Sequence, residues 1–544
     1  MSPSKGGRAL PFVLLTAGCA IVFLGGLARL PLFGRDEALY AEAAREMLAG
    51  GDWITPRVNG VPFFEKPPLL YWLAALTYKI VGVSPLAARL PAALMAIFSV
   101  GLTAAVGACV WGRRAGILAG IALATSLQMV MIGRMGIMDV PLTCLVALAL
   151  LAYAHWQRKG GLLAALAFGA LAGLALLLKG LAGILAPAIA FVHALVHRRH
   201  HSCVTVGSVG AALLVTAAIA GPWFVAMGLR HGEAYTSVLF LREHMTRITR
   251  PMQGHGGPIV YYIALIAVSF FPWAVFLPVA LISRHHQTDE ARTFWHRLLI
   301  VWIAVVLILF SLASTKLPGY VTPLFPAMAL LVGVELDRRL LEPGRAPWIA
   351  VIAGAVLLGG LVSLLPVAGA RIGARVGASH EARLLTVPAA FWVGGYGIIA
   401  LGAAVALVGR VGTGLRFMVA GQAVILGALL IGILPVLSPY LGGASARLAE
   451  VARRELPDSR VVLYDTRPET VAFVLRRPVP EFSRDQQRQI LAALRTGPTA
   501  LIASAKERAF WQQLPARRVW RSGDRVLVEV PNLAGRPESG AELR

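Results

Sequence analysis

The stretch that decides the fold runs from Leu162 to His197 and reads LLAALAFGALAGLALLLKGLAGILAPAIAFVHALVH. A bilayer core needs about 20 mainly apolar residues per helix, so this stretch is long enough for two spans. Lys179 interrupts it and marks the point between them. We therefore predict one span at 162–178 and a second at 180–197. Lys179 would then lie at membrane depth or at the interface, where an ammonium is costly unless it is paired or hydrated; snorkelling to the interface is the alternative.

Runs of the same kind recur along the rest of the chain. Residues of the set AVILMFWYC make up 57% of the 544 residues and charged residues only 14%, whereas a soluble domain carries about 25% charged residues. The sequence therefore predicts an all-α polytopic membrane protein with about 13 transmembrane helices. The other runs lie at approximately 11–31, 86–109, 114–132, 140–157, 204–228, 258–283, 297–314, 321–336, 347–368, 388–409 and 417–437.

The positive charges follow the topology of these runs. Lys plus Arg number 51 and Asp plus Glu 27, a formal net charge of +24, and cytoplasmic loops of membrane proteins collect Lys and Arg. With a cytoplasmic N-terminus every second junction is basic, which explains the excess without a nucleic-acid partner. The four cysteines form no CxxC or Cys/His cluster, which argues against a disulfide framework and a thiolate metal site. The basic junctions are Arg113-Arg114, Arg158-Lys159, Arg198-Arg199, Arg284, Arg338-Arg339 and Arg410.

Residues 441–544 differ in composition from residues 1–440, which hold the spans. The tail is rich in Arg, Asp and Glu from about position 446, and an odd number of spans places it on the outer side. About 100 residues are enough to bury a core. We therefore predict a transmembrane domain followed by a small α/β domain on the outer side, in which no catalytic constellation stands out. The helix-like stretches are 445–455 and 484–495, and the strand-like stretches are 461–464, 500–502 and 526–530.

Two long segments on the predicted outer side, 32–85 and 229–257, are expected to form the active site. The first opens with an amphipathic helix whose first turn holds Asp36 and Glu37, at the positive end of the helix dipole. Its apolar and charged sides suggest that it lies along the membrane surface. Helix capping is the alternative role for the two carboxylates.

A second charged pair, Glu65-Lys66, precedes an apolar, aromatic stretch, and Asp139 stands at the start of a span. An ammonium such as that of Lys66 suits an anionic lipid headgroup, because it is a compact point charge. Asp139 can cap its helix, with Pro141 in the first turn. Capping and catalysis are compatible.

Further cations are predicted on the same side. Arg242, Arg247 and Arg250 lie within nine residues and can cradle a phosphate, although they could also simply coat a surface. The turn from Lys316 to Tyr320 adds a cation and a phenol. Separated carboxylates and a cationic cluster next to lipid suit an enzyme that acts on a lipid phosphate.

These motifs resemble those of the bacterial lipid A aminoarabinose transferases, which belong with the protein mannosyltransferase-like, type C glycosyltransferases. The motifs extend from residue 35 to residue 320, and the hydropathy resemblance covers the whole chain. The residues that carry the resemblance are Arg35-Asp36-Glu37, Tyr40-Ala41-Glu42, Arg45-Glu46-Met47-Leu48, Gly51-Asp52-Trp53-Ile54, Phe64-Glu65-Lys66-Pro67-Pro68-Leu69-Leu70-Tyr71-Trp72, Arg134-Met135, Asp139 and Lys316-Leu317-Pro318-Gly319-Tyr320.

The resemblance implies a type C glycosyltransferase fold with periplasmic amphipathic helices. It also implies transfer of 4-amino-4-deoxy-L-arabinose from undecaprenyl phosphate to a lipid A phosphate, at the periplasmic face of the bacterial inner membrane. This reaction neutralises lipid A and confers resistance to polymyxin and other cationic peptides. The expected partners are the undecaprenyl-phosphate aminoarabinose donor, the lipid A acceptor and membrane lipids. The exact sugar and acceptor, the stereochemical outcome and the oligomeric state stay open.

The resemblance also implies roles for individual residues. Asp36 matches the essential carboxylate, with Glu65 and Asp139 nearby. Lys66 and an arginine of the second large loop would hold the donor phosphate, and the arginine is either Arg247 or Arg250. Tyr40, Lys316 and Tyr320 are assigned to donor and lipid binding. No cofactor is required, but a divalent ion is an option at Glu65 with His244 or His255.

The chemistry of the reaction supports this assignment. The departing polyprenyl phosphate gains negative charge, which Lys66 and an arginine stabilise. An acceptor phosphate is already a nucleophile, so Asp36 can instead bind the amino sugar, steady the oxocarbenium-like transition state or orient the acceptor. Two alternatives remain. A sister transferase with a hydroxyl acceptor on a protein, glycan or lipid would use Asp36 as general base, and a polyprenyl-lipid transporter would need ionisable residues in the middle of several spans.

Overall fold

The computed structural model describes residues 5–197, 203–239, 256–283, 289–342, 344–364 and 386–532. Helices dominate the part that precedes residue 443, and a small mixed sheet follows. The α-helices of this first part are α1 (Lys5–Leu24), α2 (Gly34–Gly50), α3 (Leu69–Val81), α4 (Pro85–Val110), α5 (Arg113–Ala124), α6 (Leu127–Gly133), α7 (Asp139–Lys159), α8 (Leu162–Lys179), α9 (Leu185–Val196), α10 (Val206–Thr236), α11 (Tyr261–Ser269), α12 (Leu277–Ile282), α13 (Glu290–Leu312), α14 (Phe325–Leu341), α15 (Ala346–Ser363), α16 (Thr386–Leu407), α17 (Val411–Gly427) and α18 (Leu434–Leu437).

The chain is a multi-pass membrane protein. Among the described residues, nine helices are long and apolar enough to cross a membrane, and up to eleven if each of two bent helix pairs is one span. The bent pairs are α5 with α6, at 61°, and α11 with the helical segment Trp273–Ile282, at 116°. The difference from thirteen predicted spans has two sources. The stretch from Leu162 to Val196 is counted once, and the apolar part of α1 from Leu10 to Leu24 falls short of the length required.

The stretch from Leu162 to His197 reverses direction in the structure, as predicted. The side chain of Lys179, at the end of α8, contacts Asp139 at the start of α7. The side chain of His193, near the end of α9, bonds the Tyr153 hydroxyl in the later part of α7, at 3.0 Å. Helices α8 and α9 therefore run in opposite directions beside α7, and a 3-10 turn at Gly180–Ile184 joins them.

The two ends of the helix bundle differ in charge. Helix α7 begins at Asp139 and has Arg158 and Lys159 in its last turn. At 1.5 Å per residue its 21 residues separate these groups by about 31 Å, close to the roughly 30 Å of a bilayer core. Near the basic end, Arg114 of α5 pairs with Asp337 of α14 at 3.0 Å. We call the end with Arg114 and Arg158 the basic face and the end with Asp139 the site face.

A buried ion pair holds the site face together. Arg89 of α4 is 2% exposed and Glu37 of α2 is completely buried, and the guanidinium donates two bonds of 2.8 Å to the carboxylate. Glu37 also accepts from the backbone N–H groups of Phe33 and Gly136. Arg89 donates its remaining bonds to the carbonyl groups of Leu27, Leu30 and Pro31. Because both buried charged groups are fully hydrogen-bonded, the start of α2 has a fixed position.

The described part of the C-terminal region is an α/β layer structure. Its five-stranded sheet has the order β4-β3-β5-β7-β6; β3 is parallel to β4 and β5, and the remaining pairs are antiparallel. Helices α19 and α20 cover one face and α21 and α22 the other, which explains why the central strands are apolar on both faces. The elements are α19 (Gly443–Glu455), β3 (Arg460–Tyr464), α20 (Glu469–Leu475), β4 (Glu481–Phe482), α21 (Gln487–Leu494), β5 (Thr499–Ser504), α22 (Arg508–Trp511), β6 (Arg518–Ser522) and β7 (Arg525–Val530).

The C-terminal region packs against the first long loop. The hairpin of β1 (Arg57–Val58) and β2 (Val61–Pro62) places Asn59 so that its side chain exchanges two hydrogen bonds with the Val479 backbone, at 3.0 and 2.7 Å. Arg45 of α2 donates to the Arg476 carbonyl at 3.2 Å. Helix α2 is therefore buried on its charged side as well as on its apolar side, and its course along the membrane surface stays a prediction.

Candidate active site

Helix α2 presents Asp36 at the site face. Its end is set by Gly51, which adopts the left-handed conformation with φ 72° and bonds the Met47 carbonyl, a geometry that glycine favours. At its start, Glu37 turns inward to Arg89 and bonds the Phe33 N–H, whereas Asp36 is exposed. The Asp36 carboxylate has neither a hydrogen-bond nor an ion-pair partner in the described ranges. Glu37 thus takes the capping role, and Asp36 is free to meet a ligand.

Tyr40 lies one turn after Asp36 and marks where the predicted carboxylates meet. Its ring is 7% exposed and its centroid is 5.8 Å from that of Tyr71. Burial raises the pKa of Tyr40 well above its ordinary value, and the negative charges of Asp36, Asp139 and Glu65 add to the effect. All three predicted catalytic carboxylates therefore lie close enough to Tyr40 for their charges to act on it.

Asp139 is held by Lys179. Its Oδ1 lies 2.7 Å from the Lys179 ammonium, and each side chain is 13% exposed. The same ammonium lies 5.5 Å from the centre of the Tyr320 ring. Asp139 does not cap α7, whose N-cap residue is Met138 with no side-chain bond. The charge of Lys179 is therefore satisfied by pairing, and Tyr320 belongs to the same site.

The backbone at Gly319 packs closely against the Asp139 carboxylate. A Cβ atom at Gly319 would lie 2.4 Å from Oδ1 and 2.7 Å from Cγ of Asp139, well inside van der Waals contact. The close approach of this loop to the carboxylate therefore requires glycine. The motif from Lys316 to Tyr320 thus contributes a backbone surface as well as the Tyr320 ring.

Glu65 and Lys66 occupy the loop before α3. The Lys66 ammonium donates to the Glu65 carbonyl at 3.0 Å, and the Glu65 carboxylate lies 3.6 Å from the Arg35 guanidinium. The Nε of Arg35 in turn lies 3.8 Å from Glu469 of α20. Arg35 and Glu469 were not predicted as site residues.

The loop that carries Glu65 and Lys66 is anchored to the end of α10. Arg230 pairs with Asp52 at 3.1 Å, and His231 bonds the Thr55 hydroxyl at 2.9 Å. Although partial burial opposes ionisation, the N–H groups of Thr55 and Ile54 and the Arg230 charge lower the pKa of Asp52 below its ordinary value. Helix α10 leads directly into the segment that holds the predicted phosphate-binding arginines, so the two long segments meet at this point.

Lys316 has a different environment from the one predicted. Its ammonium donates to the carbonyl groups of Phe310, Ser311 and Ala313, at 3.2, 2.5 and 2.5 Å. These carbonyls lie at the end of α13, where a positive charge stabilises the helix dipole. The observed role of Lys316 is therefore to cap α13, and its contact with the donor stays a prediction.

The cationic cluster of the second long loop lies outside the described residues. This holds for Arg247, Arg250, His244 and His255. The described ranges contain no group of three or more His, Cys, Asp or Glu side chains that could hold a metal ion. The phosphate cradle and the divalent ion at Glu65 therefore stay predictions.

Three sites of pairing went unrecognised in the sequence: Arg89, Lys179 as the partner of Asp139, and Glu469. Arg89 and Lys179 carry a common signal, since each is an ionisable side chain in an otherwise apolar run and needs a partner there. Glu469 carries no such signal, because acidic residues are ordinary in a soluble domain.

Comparisons with known proteins agree with the resemblance. The family described as dolichyl-phosphate-mannose-protein mannosyltransferase matches residues 65–225. The undecaprenyl phosphate-alpha-4-amino-4-deoxy-L-arabinose arabinosyl transferase of Pectobacterium carotovorum is 30% identical over 63% of this chain and 61% of its own length. That of Pseudomonas aeruginosa LESB58 is 31% identical over 60% of each chain. The matched region thus spans about six-tenths of the length of these relatives.

The fold is also shared with solved structures. A crystal structure of ArnT from Cupriavidus metallidurans bound to undecaprenyl phosphate covers 96% of this chain and 99% of its own, with a TM-score of 0.74 and 24% identity. An oligosaccharyltransferase of Archaeoglobus fulgidus, tethered to an acceptor peptide, covers 93% of this chain and 70% of its own, with a TM-score of 0.54 and 12% identity. The chain is therefore similar to the aminoarabinose arabinosyl transferases in sequence, carries a segment similar to the dolichyl-phosphate-mannose-protein mannosyltransferase family, and shares its fold with the ArnT structure.

Proposed function

We propose that the chain transfers 4-amino-4-deoxy-L-arabinose from undecaprenyl phosphate to a phosphate group of lipid A. The reaction takes place at the periplasmic face of the inner membrane and confers resistance to polymyxin and other cationic peptides. The observation that carries the proposal is that the charges of Asp36, Glu65 and Asp139 all act on the buried Tyr40, at the end of the bundle opposite the basic face. The names of the relatives at about 30% identity supply the sugar and the donor lipid.

The periplasmic assignment rests on charge. The junctions around Arg114 and Arg158 meet at one end of the bundle, and basic junctions belong on the cytoplasmic side. The site face, with the first long loop and the C-terminal region packed on it, is then periplasmic. A lipid-linked donor and lipid A both present their phosphates at such an interface.

The proposed reaction breaks the bond between C1 of the sugar and the phosphate oxygen of the donor, and forms a bond between C1 and an oxygen of the acceptor phosphate. The electron pair of the broken bond stays on undecaprenyl phosphate. Lys66, together with Arg247 or Arg250, offsets the charge that develops there. The acceptor phosphate is ionised at neutral pH, so attack on C1 requires no proton transfer.

The pairing of the carboxylates separates their proposed roles. Asp139 is neutralised by Lys179 and Glu65 is paired with Arg35, whereas Asp36 has no partner among described residues. Asp36 is therefore the carboxylate available to a cation. We propose that Asp36 stabilises the positive charge that accumulates on the sugar ring in the transition state, or that it binds the ammonium group at C4 of the sugar. The charges of all three carboxylates act on Tyr40, and the Tyr320 ring lies beside Lys179.

A divalent ion at Glu65, with His244 or His255, is an additional proposal. Glu65 is the only one of these three residues in the described ranges, and its carboxylate faces Arg35. Such an ion would neutralise phosphate charge. The residue roles given above do not depend on it.

The experiment that tests the function is mass spectrometry of lipid A from cells with and without this chain. Addition of one aminopentose to a lipid A phosphate is the expected result. The match to the mannosyltransferase family favours a second candidate, transfer to a hydroxyl acceptor. Unmodified lipid A together with a glycosylated protein or glycan would select that candidate, with Asp36 as general base. Absence of both products would overturn the assignment as a transferase.

A further inference from the structure

The C-terminal region contributes a charged group to the site. Glu469 is the first residue of α20; its side chain is 9% exposed, and its carboxylate lies 3.8 Å from the Arg35 guanidinium. Arg35 also approaches Glu65, at 3.6 Å, and keeps 30% of its side chain exposed. A single guanidinium therefore lies between a carboxylate of the first loop and a carboxylate of the C-terminal region.

The position of Glu469 is fixed by contacts on both sides of it. Phe473, one turn later in α20, packs its ring 6.3 Å from that of Tyr78 in α3. The two hydrogen bonds between Asn59 and the Val479 backbone hold the segment that follows α20. The approach of Glu469 to Arg35 thus belongs to an extended, well-packed interface.

Arg35 matters because it directly precedes Asp36 in α2. Neighbouring residues of a helix do not face each other, but a long arginine that is 30% exposed can swing toward an unpaired carboxylate. The ion pairs of Arg35 with Glu65 and Glu469 oppose that movement. The Asp36 carboxylate consequently has no partner among the described residues, although the residue before it is an arginine.

We propose that Glu469 is a positioning residue for sugar transfer, which holds Arg35 against Glu65 and thereby keeps Asp36 available to the substrate. This inference rests on the proposed function. It also assigns a task to the C-terminal region: docking of α20 completes the site. Loss of Glu469 leaves Arg35 with one partner, and Glu65 and Asp36 then compete for it.

The test uses the full-length protein in lipid nanodiscs, with undecaprenyl-phosphate aminoarabinose as donor and lipid A as acceptor. Glu469→Gln keeps the shape of the side chain and removes its charge. Since small misplacements at a reacting centre cost up to about 100-fold in rate, we expect kcat to fall by about 10- to 100-fold. The KM for the donor should change little, because Lys66 is untouched. Glu469→Asp should restore part of kcat, and Glu450→Gln, on α19 of the same region, is the matched control.

The double variant separates positioning from a general effect on folding. Arg35→Gln should lower kcat to a similar extent, and Glu469→Gln should add little in the Arg35→Gln background, because both act through one chain of contacts. Equal kcat for wild type and Glu469→Gln, with both proteins folded by thermal unfolding, would overturn the inference. So would effects of the two substitutions that multiply, or an equal loss of kcat and Tm in Glu469→Gln and Glu469→Asp.

Failure of the proposed function has a different outcome. If the wild type transfers no aminoarabinose to lipid A but glycosylates a hydroxyl acceptor, the same five variants are measured with that acceptor. The inference is then tested in the same way, by whether the effects of Glu469→Gln and Arg35→Gln on kcat are non-additive. If the wild type transfers no sugar to either acceptor, the proposed function fails and the positioning role is withdrawn with it.

Discussion

The Lys179 ammonium lies 2.7 Å from Oδ1 of Asp139 and joins the end of α8 to the start of α7. A charge at either position would be costly near the membrane without the other. The pair therefore stabilises the site face, and among the described residues Asp36 is the site carboxylate without a partner.

Asp36→Asn is expected to abolish transfer while the protein stays folded and inserted. The amide is nearly isosteric with the carboxylate, so only the charge is lost. Removal of one charge-stabilising group costs about 100- to 1,000-fold in kcat. The measurement is aminoarabinose addition to lipid A by the purified protein, with Asp485→Asn on the C-terminal region as control. Full activity of Asp36→Asn would remove Asp36 from the mechanism.

Asp139→Asn and Lys179→Met should each destabilise the protein, because each leaves an unpaired charge in a largely buried place. Loss of one partner of a buried pair costs roughly 3 kcal/mol. The double variant should unfold at a higher temperature than either single variant, since it leaves no orphaned charge. Thermal unfolding in detergent measures all three. A double variant that loses the sum of the two single effects would show that the pair does not act as a unit.

Gly319→Ala is expected to displace the Asp139 carboxylate, because the new Cβ would lie 2.4 Å from Oδ1. Transfer should fall by about tenfold or more, in line with the cost of misplacing a site group. Gly101→Ala is a suitable control, since a Cβ at Gly101 meets no atom within 4 Å. Equal activity of wild type and Gly319→Ala would mean that the Asp139 side chain can move without consequence.

Lys66→Ala should weaken donor binding. A hydrogen bond to a charged group contributes roughly 1.5 to 3 kcal/mol, which corresponds to about one to two orders of magnitude in affinity. Arg250→Ala or Arg247→Ala should have a similar effect, and the combination with Lys66→Ala should be non-additive because both cations hold one phosphate. Titration with undecaprenyl phosphate measures the affinity. If these variants lost affinity for lipid A alone, the cations would be assigned to the lipid A phosphate and not to the donor phosphate.

The orientation of the chain can be tested with reporters. A reporter fused after residue 440 should be periplasmic, and one fused after Arg199 should be cytoplasmic, because basic junctions stay on the cytoplasmic side. Alkaline phosphatase activity, which requires export, distinguishes the two positions. A cytoplasmic reporter after residue 440 would mean that the number of spans is even and that the site face is misassigned.

The sequence by itself determined the membrane class and the position of most helices. Apolar runs reveal spans without any knowledge of their neighbours, since insertion depends on the composition of each segment. The reversal at Lys179 and the strands around 461–464, 500–502 and 526–530 agree with the structure for the same local reason. Asp36, Glu65 and Asp139 could be chosen as candidates because each is a charge next to an apolar run and matches a motif of the resembled family; their catalytic roles stay predictions.

The tertiary structure decided which charges are paired. Glu37 with Arg89, Asp139 with Lys179 and Arg35 with Glu469 join residues that lie far apart in the chain, and nothing in the local sequence states which distant partner a charge will meet. Lys316 illustrates the same limit, because its place in a site motif did not indicate that its ammonium would cap α13. An ion pair depends on distances set by helix packing, whereas a span depends on the solubility of one segment. The packing therefore decided that, of the three site carboxylates, Asp36 is the one without a partner in the part of the chain that the structure describes.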